Sequence, residues 1–305
     1  MSTLTHLGQA IERLTPLSLA ESSWDNVGLM IEAPRPNQLP KRSITVCIDL
    51  TRPVVEAALA KESTSAILTY HPPIFSGLKS ITMSNSIQRS LLECATKGVS
   101  VYTIHTAADN AVGGVNDYMG TGLLRAAGID GLEQGELVRP GQGRGLRALK
   151  EHSNPPKGHE GCGGGRIVDL KEGAGKGLGR EEMVNAVKET LGLKHFQAAW
   201  SPTGPSTIST IGICAGSGSS VLKGVKADLY LTGEMSHHDV LAANAQGIHV
   251  FCCNHTNTER PWLSSFAPRL QDELNRLAKE EKGENGELEY EVVVSKEDRE
   301  PLEVV

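Results

Sequence analysis

The stretch Ile44-Thr45-Val46-Cys47-Ile48-Asp49-Leu50 is a nearly continuous apolar run. Such a run is typical of a strand buried on both faces, as in parallel sheets that helices cover. Similar short runs follow at residues 65–69 and 99–104, and between them the apolar spacing over residues 85–97 predicts a helix that stops at Gly98. Because strand and helix alternate, the sequence predicts an α/β fold with a mostly parallel, mixed sheet.

The same alternation returns in the second half of the chain. The spacing predicts elements at residues 180–191 (helix), 207–215 (strand), 227–231 (strand), 236–246 (helix), 248–253 (strand), 261–282 (helix) and 288–294 (strand), and a further helix at the start of the chain, residues 1–15. Between the halves, residues 128–165 are rich in glycine, proline and charge, which is typical of exposed loops. We therefore predict two α/β domains, 1–130 and 131–305, and the C-terminal part either belongs to the second domain or packs with the first.

Composition excludes some classes of function. The chain of 305 residues is 39% hydrophobic and 22% charged, which suffices for one large core or two ordinary ones. Aromatic residues make up 4%, too few for a platform that stacks single-stranded nucleic acid. The net charge of −6, with Lys and Arg dispersed among acids, also disfavours binding to a polyanionic backbone. Nucleic acid is therefore the least favoured partner, whereas a small phosphorylated ligand stays open.

The cysteines and the N-terminus indicate a reducing compartment. Six cysteines occur, none in a CxxC pair, and most lie in apolar runs, so we expect buried reduced thiols and neither disulfides nor a cysteine zinc site. The N-terminal residues resemble an amphipathic helix and not a signal peptide, and no apolar run reaches the length of a membrane span. These features predict a cytoplasmic protein without membrane association, with the nucleus as an alternative compartment.

Histidine and carboxylate groups follow three of the predicted strands. They occur in Tyr70-His71-Pro72-Pro73, in His105-Thr106-Ala107-Ala108-Asp109 and in His255-Thr256-Asn257-Thr258-Glu259. In open α/β sheets, ligands bind beyond the carboxyl ends of the strands. Imidazole and carboxylate are also the usual ligands of divalent metals. We therefore expect a metal site with two ions, and the candidate ligands are His71, Asp109, His255 and Glu259.

Each candidate ligand also has a structural interpretation. The two prolines after His71 hold it on a rigid corner, as a ligand requires, but a core or capping histidine fits too. Asp109 follows His105 in a predicted loop, where an aspartate could equally cap a helix. His255 and Glu259 are four residues apart, so both could reach one ion or could instead stabilise a helix start. The coincidence of three such groups at strand ends favours the metal site.

Several further motifs have weaker assignments. In Glu234–Asp239, His237 and His238 would point about 100° apart on a helix, so we expect one to act on substrate or in proton transfer and the other to pack. His105 is a candidate for orienting a ligand or substrate. Residues 216–220, Gly-Ser-Gly-Ser-Ser, could form an anion-binding nest, but they lack the lysine of a P-loop. Residues 163–165, three glycines, fit a hairpin or a tight backbone crossing.

Six segments together, in this order, resemble the Nif-three-like (NGG-one-interacting-factor-three-like) family in its eukaryotic-type branch. The segments are Trp24–Leu29, Tyr70–Phe75, His105–Asn110, Gly114–Asp117, Thr232–Asp239 and His255–Arg260. Members of the family often carry the description GTP cyclohydrolase 1 type 2 homologue. The resemblance implies two α/β domains per subunit and a toroidal homohexamer with a dinuclear metal centre facing an inner cavity.

The resemblance also implies a ligand set. Carried over residue by residue, it assigns His71, Asp109, His255 and Glu259 to the metals. The family has a fifth ligand, a histidine directly before His71, where this chain has Tyr70. A neutral phenol with a pKa of ~10 is a poor ligand unless a metal lowers that pKa. We therefore expect one of the two ions to be weakly bound, exchangeable or absent.

The preferred function is a divalent-metal-dependent hydrolase that acts on a small nucleotide-like or phosphorylated substrate. In this hypothesis Asp109 bridges the ions, the metals activate a water molecule, and His105, His237 or His238 relays protons or holds substrate. The donor set suits zinc, manganese, iron or magnesium. The sequence shows no purine-reading motif, so it does not by itself support cyclohydrolase chemistry.

The main alternative is a protein that is not an enzyme. The family name comes from an interaction with a component of a transcriptional co-activator, so a metal-stabilised ring could serve as a binding scaffold or a transcription-linked interaction protein. The replacement of a family ligand by Tyr70 favours this alternative. Whether the protein is an enzyme is therefore left open by its sequence.

Overall fold

A computed structural model of the protein describes residues 2–36, 38–129, 131, 133, 135–282 and 288–303. The chain forms two compact units. The first contains Met1–Ala108 and Leu263–Arg299, and the second contains Asp109–Trp262 and Glu300–Val305. The predicted domain boundary falls at Asp130, which lies outside the described residues, so the division into domains 1–130 and 131–305 stays a prediction.

The helices and strands alternate along much of the chain. The helices are α1 Thr3–Leu14, α2 Arg52–Leu59, α3 Ser86–Thr96, α4 His105–Asn110, α5 Val115–Ala126, α6 Leu170–Gly173, α7 Arg180–Leu191, α8 Ser219–Leu222, α9 His237–Ala245 and α10 Leu263–Lys282. The strands are β1 Gly28–Ile31, β2 Lys41–Cys47, β3 Thr64–Thr69, β4 Ser100–Thr103, β5 Leu146–Glu151, β6 Gly163–Asp169, β7 Leu178–Gly179, β8 Gln197–Ala199, β9 Thr207–Ile208, β10 Thr210–Ser217, β11 Leu229–Glu234, β12 His249–Cys252 and β13 Glu289–Val294.

The first unit is built on a five-stranded sheet in the order β1-β4-β3-β2-β13. β4, β3, β2 and β13 pair in parallel, and only the edge strand β1 is antiparallel. All six residues of β3 are buried, as are the last six of β2, in agreement with their continuous apolar sequences. α2 and α3 pack together beside this sheet, while α10 packs against β13 and α1. The mostly parallel sheet confirms the α/β prediction for this unit.

The ends of α3 lie where the sequence places them. The side-chain oxygen of Asn85 accepts hydrogen bonds from the backbone N–H groups of Ile87 and Gln88, which the helix itself cannot satisfy. The helix stops at Lys97, and Gly98 then takes a φ of +79°. A residue with a Cβ rarely adopts this conformation, so the glycine makes the turn into β4 possible.

The second unit is built on a six-stranded sheet in the order β5-β6-β10-β11-β12-β8. Its central strands β10, β11 and β12 are parallel, and these are the strands predicted from apolar runs. The outer strands β5, β6 and β8 are antiparallel and come from segments without such runs. The sheet is therefore mixed, with a parallel centre. The glycines of residues 163–165 open β6, where Gly163 passes so close to Lys150 that a Cβ would clash, as expected for a tight backbone crossing.

The six cysteines are reduced thiols, as predicted, and five of them are buried. Burial, with a smaller contribution from Glu93, raises the pKa of the Cys94 thiol to about 12. The reactive thiolate is therefore depleted about a thousandfold relative to an unperturbed cysteine at the same pH. Within the described part of the chain, no helix combines the length and apolar composition that a membrane span requires.

Cys94 is therefore expected to resist alkylation in the native protein. A brief treatment with iodoacetamide at pH 8, followed by mass-spectrometric mapping, should label Cys94 at least about a hundredfold more slowly before unfolding in urea than after it. Cys252, which is only half-buried, serves as the internal comparison. Equal labelling of Cys94 in the native and unfolded protein would contradict the prediction.

Candidate metal centre

In the first unit, His71 lies just past the end of β3. The backbone N–H groups of Tyr70 and His71 donate to the carbonyl oxygens of Cys47 and Ile48, which continues the pairing of β3 with β2. Nδ1 of His71 lies 3.0 Å from Oδ1 of Asp49. A carboxylate on one ring nitrogen fixes the orientation of the imidazole, as in many metal-binding histidines. Asp49 thus fixes the ring of His71, and the role of His71 as a ligand stays a prediction.

His105 has a carboxylate partner of the same kind. Its Nδ1 lies 2.6 Å from Oδ1 of Asp25, whose side chain is completely buried. Thr106 donates to the other carboxylate oxygen through its backbone N–H, at 3.2 Å, and through its hydroxyl. Burial alone would raise the pKa of Asp25, but hydrogen bonds from His105 and Thr106 outweigh it and lower the pKa below its usual value. Asp25 is therefore a carboxylate that fixes the orientation of His105.

The prediction that residues 105–109 form a loop is wrong, since these residues belong to the helix α4. Ala107 and Ala108 are good helix formers, and both are completely buried, which favours a helix here. Asp109 is the fifth of the six residues of α4, so the alternative that it caps a helix N-terminus is also wrong. Its backbone oxygen accepts a hydrogen bond of 3.1 Å from Nδ2 of Asn116.

In the second unit, His255 and Glu259 lie in the turn after β12. Nε2 of His255 is 3.3 Å from Oε1 of Glu259, and Nδ1 of the same ring is 3.2 Å from Oε2 of Glu234. Glu259 is 3% exposed, whereas Glu234 is largely exposed. The short helical turn Thr256–Thr258 joins the two residues. The four-residue spacing therefore brings His255 and Glu259 together, as the sequence predicts.

A glycine keeps a small space open beside these two side chains. Gly216 has a φ of +61°, and its N–H donates to the Thr258 hydroxyl at 2.9 Å. A Cβ at this position would lie 2.8 Å from Oε1 of Glu259 and 2.9 Å from Nε2 of His255. One imidazole nitrogen and one carboxylate oxygen therefore border the same cradle, a donor pair that suits zinc, manganese or iron. The His/Glu group fits a divalent cation.

Gly216→Ala is expected to weaken metal binding about 10- to 100-fold, because the new methyl group would occupy the cradle and displace the donors. The affinity is measured by competition with a fluorescent zinc chelator. Gly224→Ala is the matched control, since Gly224 also has a positive φ, +79°, but a Cβ there would meet nothing within 4 Å. Equal metal affinities for the two variants would contradict the prediction that the space beside Gly216 holds the metal.

Asp109 and Glu259 both act on one buried thiol. Burial, then the charges of Asp109 and of Glu259, raise the pKa of Cys214 on β10. An electrostatic effect of both carboxylates on the same group requires that both lie close to it. The Asp109 and Glu259 carboxylates are therefore both neighbours of the Cys214 thiol.

The family model for Duf34/NIF3 (NGG1p interacting factor 3) matches residues 2–299. The chain belongs to the NIF3 family. The predicted resemblance to the Nif-three-like family is thereby confirmed, and relatives from both fungi and animals match the chain. The fold and the described His/Glu group are thus those of a NIF3 protein.

Two fungal relatives cover nearly the whole chain. Protein NIF3 homolog of Schizosaccharomyces pombe is 41% identical, and the match covers 97% of this chain and 96% of the relative. NGG1-interacting factor 3 of Saccharomyces cerevisiae is 34% identical and covers 99% and 96%. Among solved structures, a Bacillus cereus protein related to NIF3 superimposes with a TM-score of 0.70 at 18% identity, covering 99% of this chain and 98% of that one. This last likeness shows that the NIF3 fold is shared.

Two candidates of the NIF3 chain lie on a separate element. His237 and His238 are exposed in the first turn of α9, and their ring centroids are 5.5 Å apart. Ser236 caps this helix by accepting from the N–H of Asp239. The expectation that one of the two histidines packs inside is wrong, since both are exposed. Their role in proton transfer or substrate binding stays a prediction.

Residues 216–220 use two of their backbone N–H groups within the protein. The N–H of Gly216 donates to the Thr258 hydroxyl, and the N–H of Gly218 donates to the carbonyl oxygen of Glu234. The helix after them, α8, has only four residues. The anion nest stays a prediction, and two of its donors already have protein partners.

Sequence reasoning missed three carboxylates of the NIF3 chain. Asp49 and Asp25 orient His71 and His105, and Glu234 contacts His255. Asp49 and Glu234 could have been found, because each stands near the carboxyl end of a predicted strand. Asp25 lies in a polar loop far from His105 in sequence, and only the tertiary structure brings the two together.

Proposed function

We propose that this protein is a divalent-metal-dependent hydrolase that acts on a small nucleotide-like or phosphorylated substrate. The observation that carries the proposal is the cradle beside Gly216, which the His255 nitrogen and the Glu259 oxygen border. Glu259 is buried and His255 is half-buried, a desolvated setting that strengthens electrostatic interactions with a cation.

The proposed ligands are His71, Asp109, His255 and Glu259. The cradle beside Gly216 supports His255 and Glu259, and the Asp49 carboxylate that fixes the imidazole ring supports His71. The charge of Asp109 acts on Cys214 together with that of Glu259, which supports the fourth. A divalent ion held there would supply Lewis acidity to the substrate and lower the pKa of water.

We propose that His105 transfers a proton to or from the substrate. Its Nδ1 is held by the buried carboxylate of Asp25, so exchange with a substrate takes place at Nε2. The same partner keeps the His105 ring in one orientation during the exchange. His105 also contacts His71, with ring centroids 5.3 Å apart, so the proton is handled next to a proposed ligand.

We propose one tightly held ion and a weaker second one. Tyr70, which replaces the fifth family ligand, is 1% exposed. Its ring packs edge-on against His71 and His105, at centroid distances of 5.3 and 5.9 Å. This packing suits a structural aromatic residue better than a phenolate ligand. We also propose the toroidal homohexamer, which light scattering of the purified protein would test as six times the subunit mass.

Metal analysis and turnover test the proposal together. Protein purified without chelator should carry about one equivalent of divalent metal and hydrolyse a member of a panel of small phosphoesters and nucleotides. Asp109→Ala should remove both the metal and the turnover, whereas Asp272→Asn, at an exposed position of α10, should keep both. Bound metal without turnover on any compound of the panel would refute the enzyme and leave a metal-binding protein.

The second candidate is a metal-stabilised interaction protein. The observation in its favour is the name of the Saccharomyces cerevisiae relative, NGG1-interacting factor 3, which states a protein partner for that relative. Removal of metal with a chelator discriminates the two functions. The interaction protein is supported if the metal-loaded protein shows no turnover and metal loss lowers the melting temperature or the oligomer mass.

A further inference from the structure

Two large aromatic side chains are exposed together in the first unit. Trp24 and Phe75 are each 52% exposed, and their ring centroids lie 6.1 Å apart with an angle of 35° between the ring planes. They come from separate segments, the loop before β1 and the segment after β3. Indole and phenyl rings in contact with each other and with solvent present an apolar, polarisable surface that suits a planar ligand.

The backbone holds the two rings in place. Nδ2 of Asn26 donates to the carbonyl oxygen of Ile74, which ties the loop of Trp24 to the segment of Phe75. The N–H of Asn26 donates in turn to Oδ1 of Asp25 at 2.8 Å. Asp25 is the carboxylate that also orients His105. The two segments that carry the exposed rings are therefore tied together, and to the carboxylate that fixes His105, which reduces the backbone ordering needed when a ligand binds.

His105 connects these rings to a proposed metal ligand. Its ring meets Trp24 and Phe75 edge-on, at centroid distances of 5.9 and 6.3 Å, and lies 5.3 Å from the ring of His71. A ligand resting on Trp24 and Phe75 is therefore separated from the His71 side chain by only one imidazole. This is the order in which a nucleotide would present its base and then its phosphate.

The backbone of His105 carries strain. Its φ is +27°, in a region that residues with a Cβ rarely adopt. The hydrogen bonds of Asp25 to the His105 ring and to Thr106 hold this conformation. Strain that the surroundings must maintain is concentrated at ligand-binding and active sites. It is a second observation, independent of the exposed rings, that points to a ligand beside His105.

We propose that Trp24 and Phe75 form a stacking platform for the planar heteroaromatic ring of the substrate. The inference rests on the proposed function and narrows it, since it assigns a nucleobase-like ring to a substrate that could otherwise be any small phosphoester. Trp24 and Phe75 act as specificity-determining residues, and the ring lies against their exposed faces. Base stacking on an exposed aromatic side chain changes affinity about 10- to 100-fold.

Binding of a matched ligand pair tests the platform. Adenosine 5′-monophosphate and ribose 5-phosphate share the phosphate and the sugar, and only the first has a planar heteroaromatic base. Calorimetry on the full chain with its metal should show that Trp24→Leu weakens the nucleotide about 10- to 100-fold and leaves ribose 5-phosphate unchanged. Trp24→Phe should retain most of the affinity, because it keeps an aromatic face. Phe75→Leu should resemble Trp24→Leu.

The control is Leu241→Ala, which removes a similarly exposed apolar side chain from α9 and should change neither affinity. The platform is overturned if wild-type protein prefers neither compound, or if Trp24→Leu weakens both compounds equally. Turnover separates the two proposals. Hydrolysis that does not depend on Trp24 would refute the platform alone, whereas selective nucleotide binding without any hydrolysis would refute the hydrolase alone.

Discussion

Glu259→Gln is expected to lower the affinity for divalent metal at least about 100-fold, and with it the turnover. Glutamine keeps the size of the side chain but removes the negative charge that lies 3.3 Å from the His255 ring. Glu259 is 3% exposed, so water neither screens the charge nor replaces it. Changes to residues that only orient metal ligands typically cost 10- to 100-fold, and loss of a ligand charge should cost more.

Two further variants calibrate this result. Glu280→Gln removes an exposed carboxylate of α10 and should leave metal affinity unchanged. Glu234→Gln removes the exposed partner of His255 and should give an intermediate loss of about 10-fold. All affinities come from chelator competition at one ionic strength. If Glu259→Gln binds metal as tightly as Glu280→Gln, the assignment of Glu259 as a ligand is wrong.

Arg166→Met is expected to have the largest effect on stability, a loss of about 3–5 kcal/mol. Arg166 and Asp117 form an ion pair in which both side chains are completely buried. The guanidinium also donates to backbone carbonyl oxygens of Gly163, Gly165, Asn110 and Ala111. Methionine fills a similar volume but leaves the Asp117 charge and these carbonyls buried without their donor.

Arg147→Met is the matched control on the neighbouring strand. Arg147 pairs with Glu172 at the surface, where the loss should stay below about 1 kcal/mol. Urea unfolding followed by circular dichroism measures both variants. Asn110 and Ala111 directly follow Asp109, so Arg166→Met should also weaken metal binding in protein that remains folded. Equal unfolding midpoints for Arg166→Met and Arg147→Met would contradict the prediction.

The sequence predicts the buried centre of each sheet and misses parts of the periphery. β3 and β10 are buried along almost their whole length, and the apolar residues at their centres are typical of strands buried on both faces. The side chains of β5 are mostly exposed or half-buried. Its sequence therefore lacks the apolar run that predicts a buried strand. The antiparallel outer strands β5, β6 and β8 are recognised only from their pairing with β6, β10 and β12, respectively.

The contacts of the candidate site also include some that the sequence predicts and some that it does not. His255 and Glu259 are local neighbours, so their spacing sufficed to predict that they meet. The contact of His71 with Asp49 depends on strand register: Cys47 pairs with Thr69 in the parallel ladder, which brings the second residues after them side by side. Register is a property of the folded sheet, and no spacing along the chain reveals it.

The first unit takes its edge strand β13 from the far end of the polypeptide, where Glu289–Val294 pairs with Lys41–Val46 of β2. On the ribosome, β2 emerges long before its partner, and at ordinary synthesis speed the delay is on the order of tens of seconds. The segment Asp109–Trp262 leaves the exit tunnel in the meantime and can collapse first. The edge of β2 that pairs with β13 therefore stays open until residues 289–294 have been synthesised.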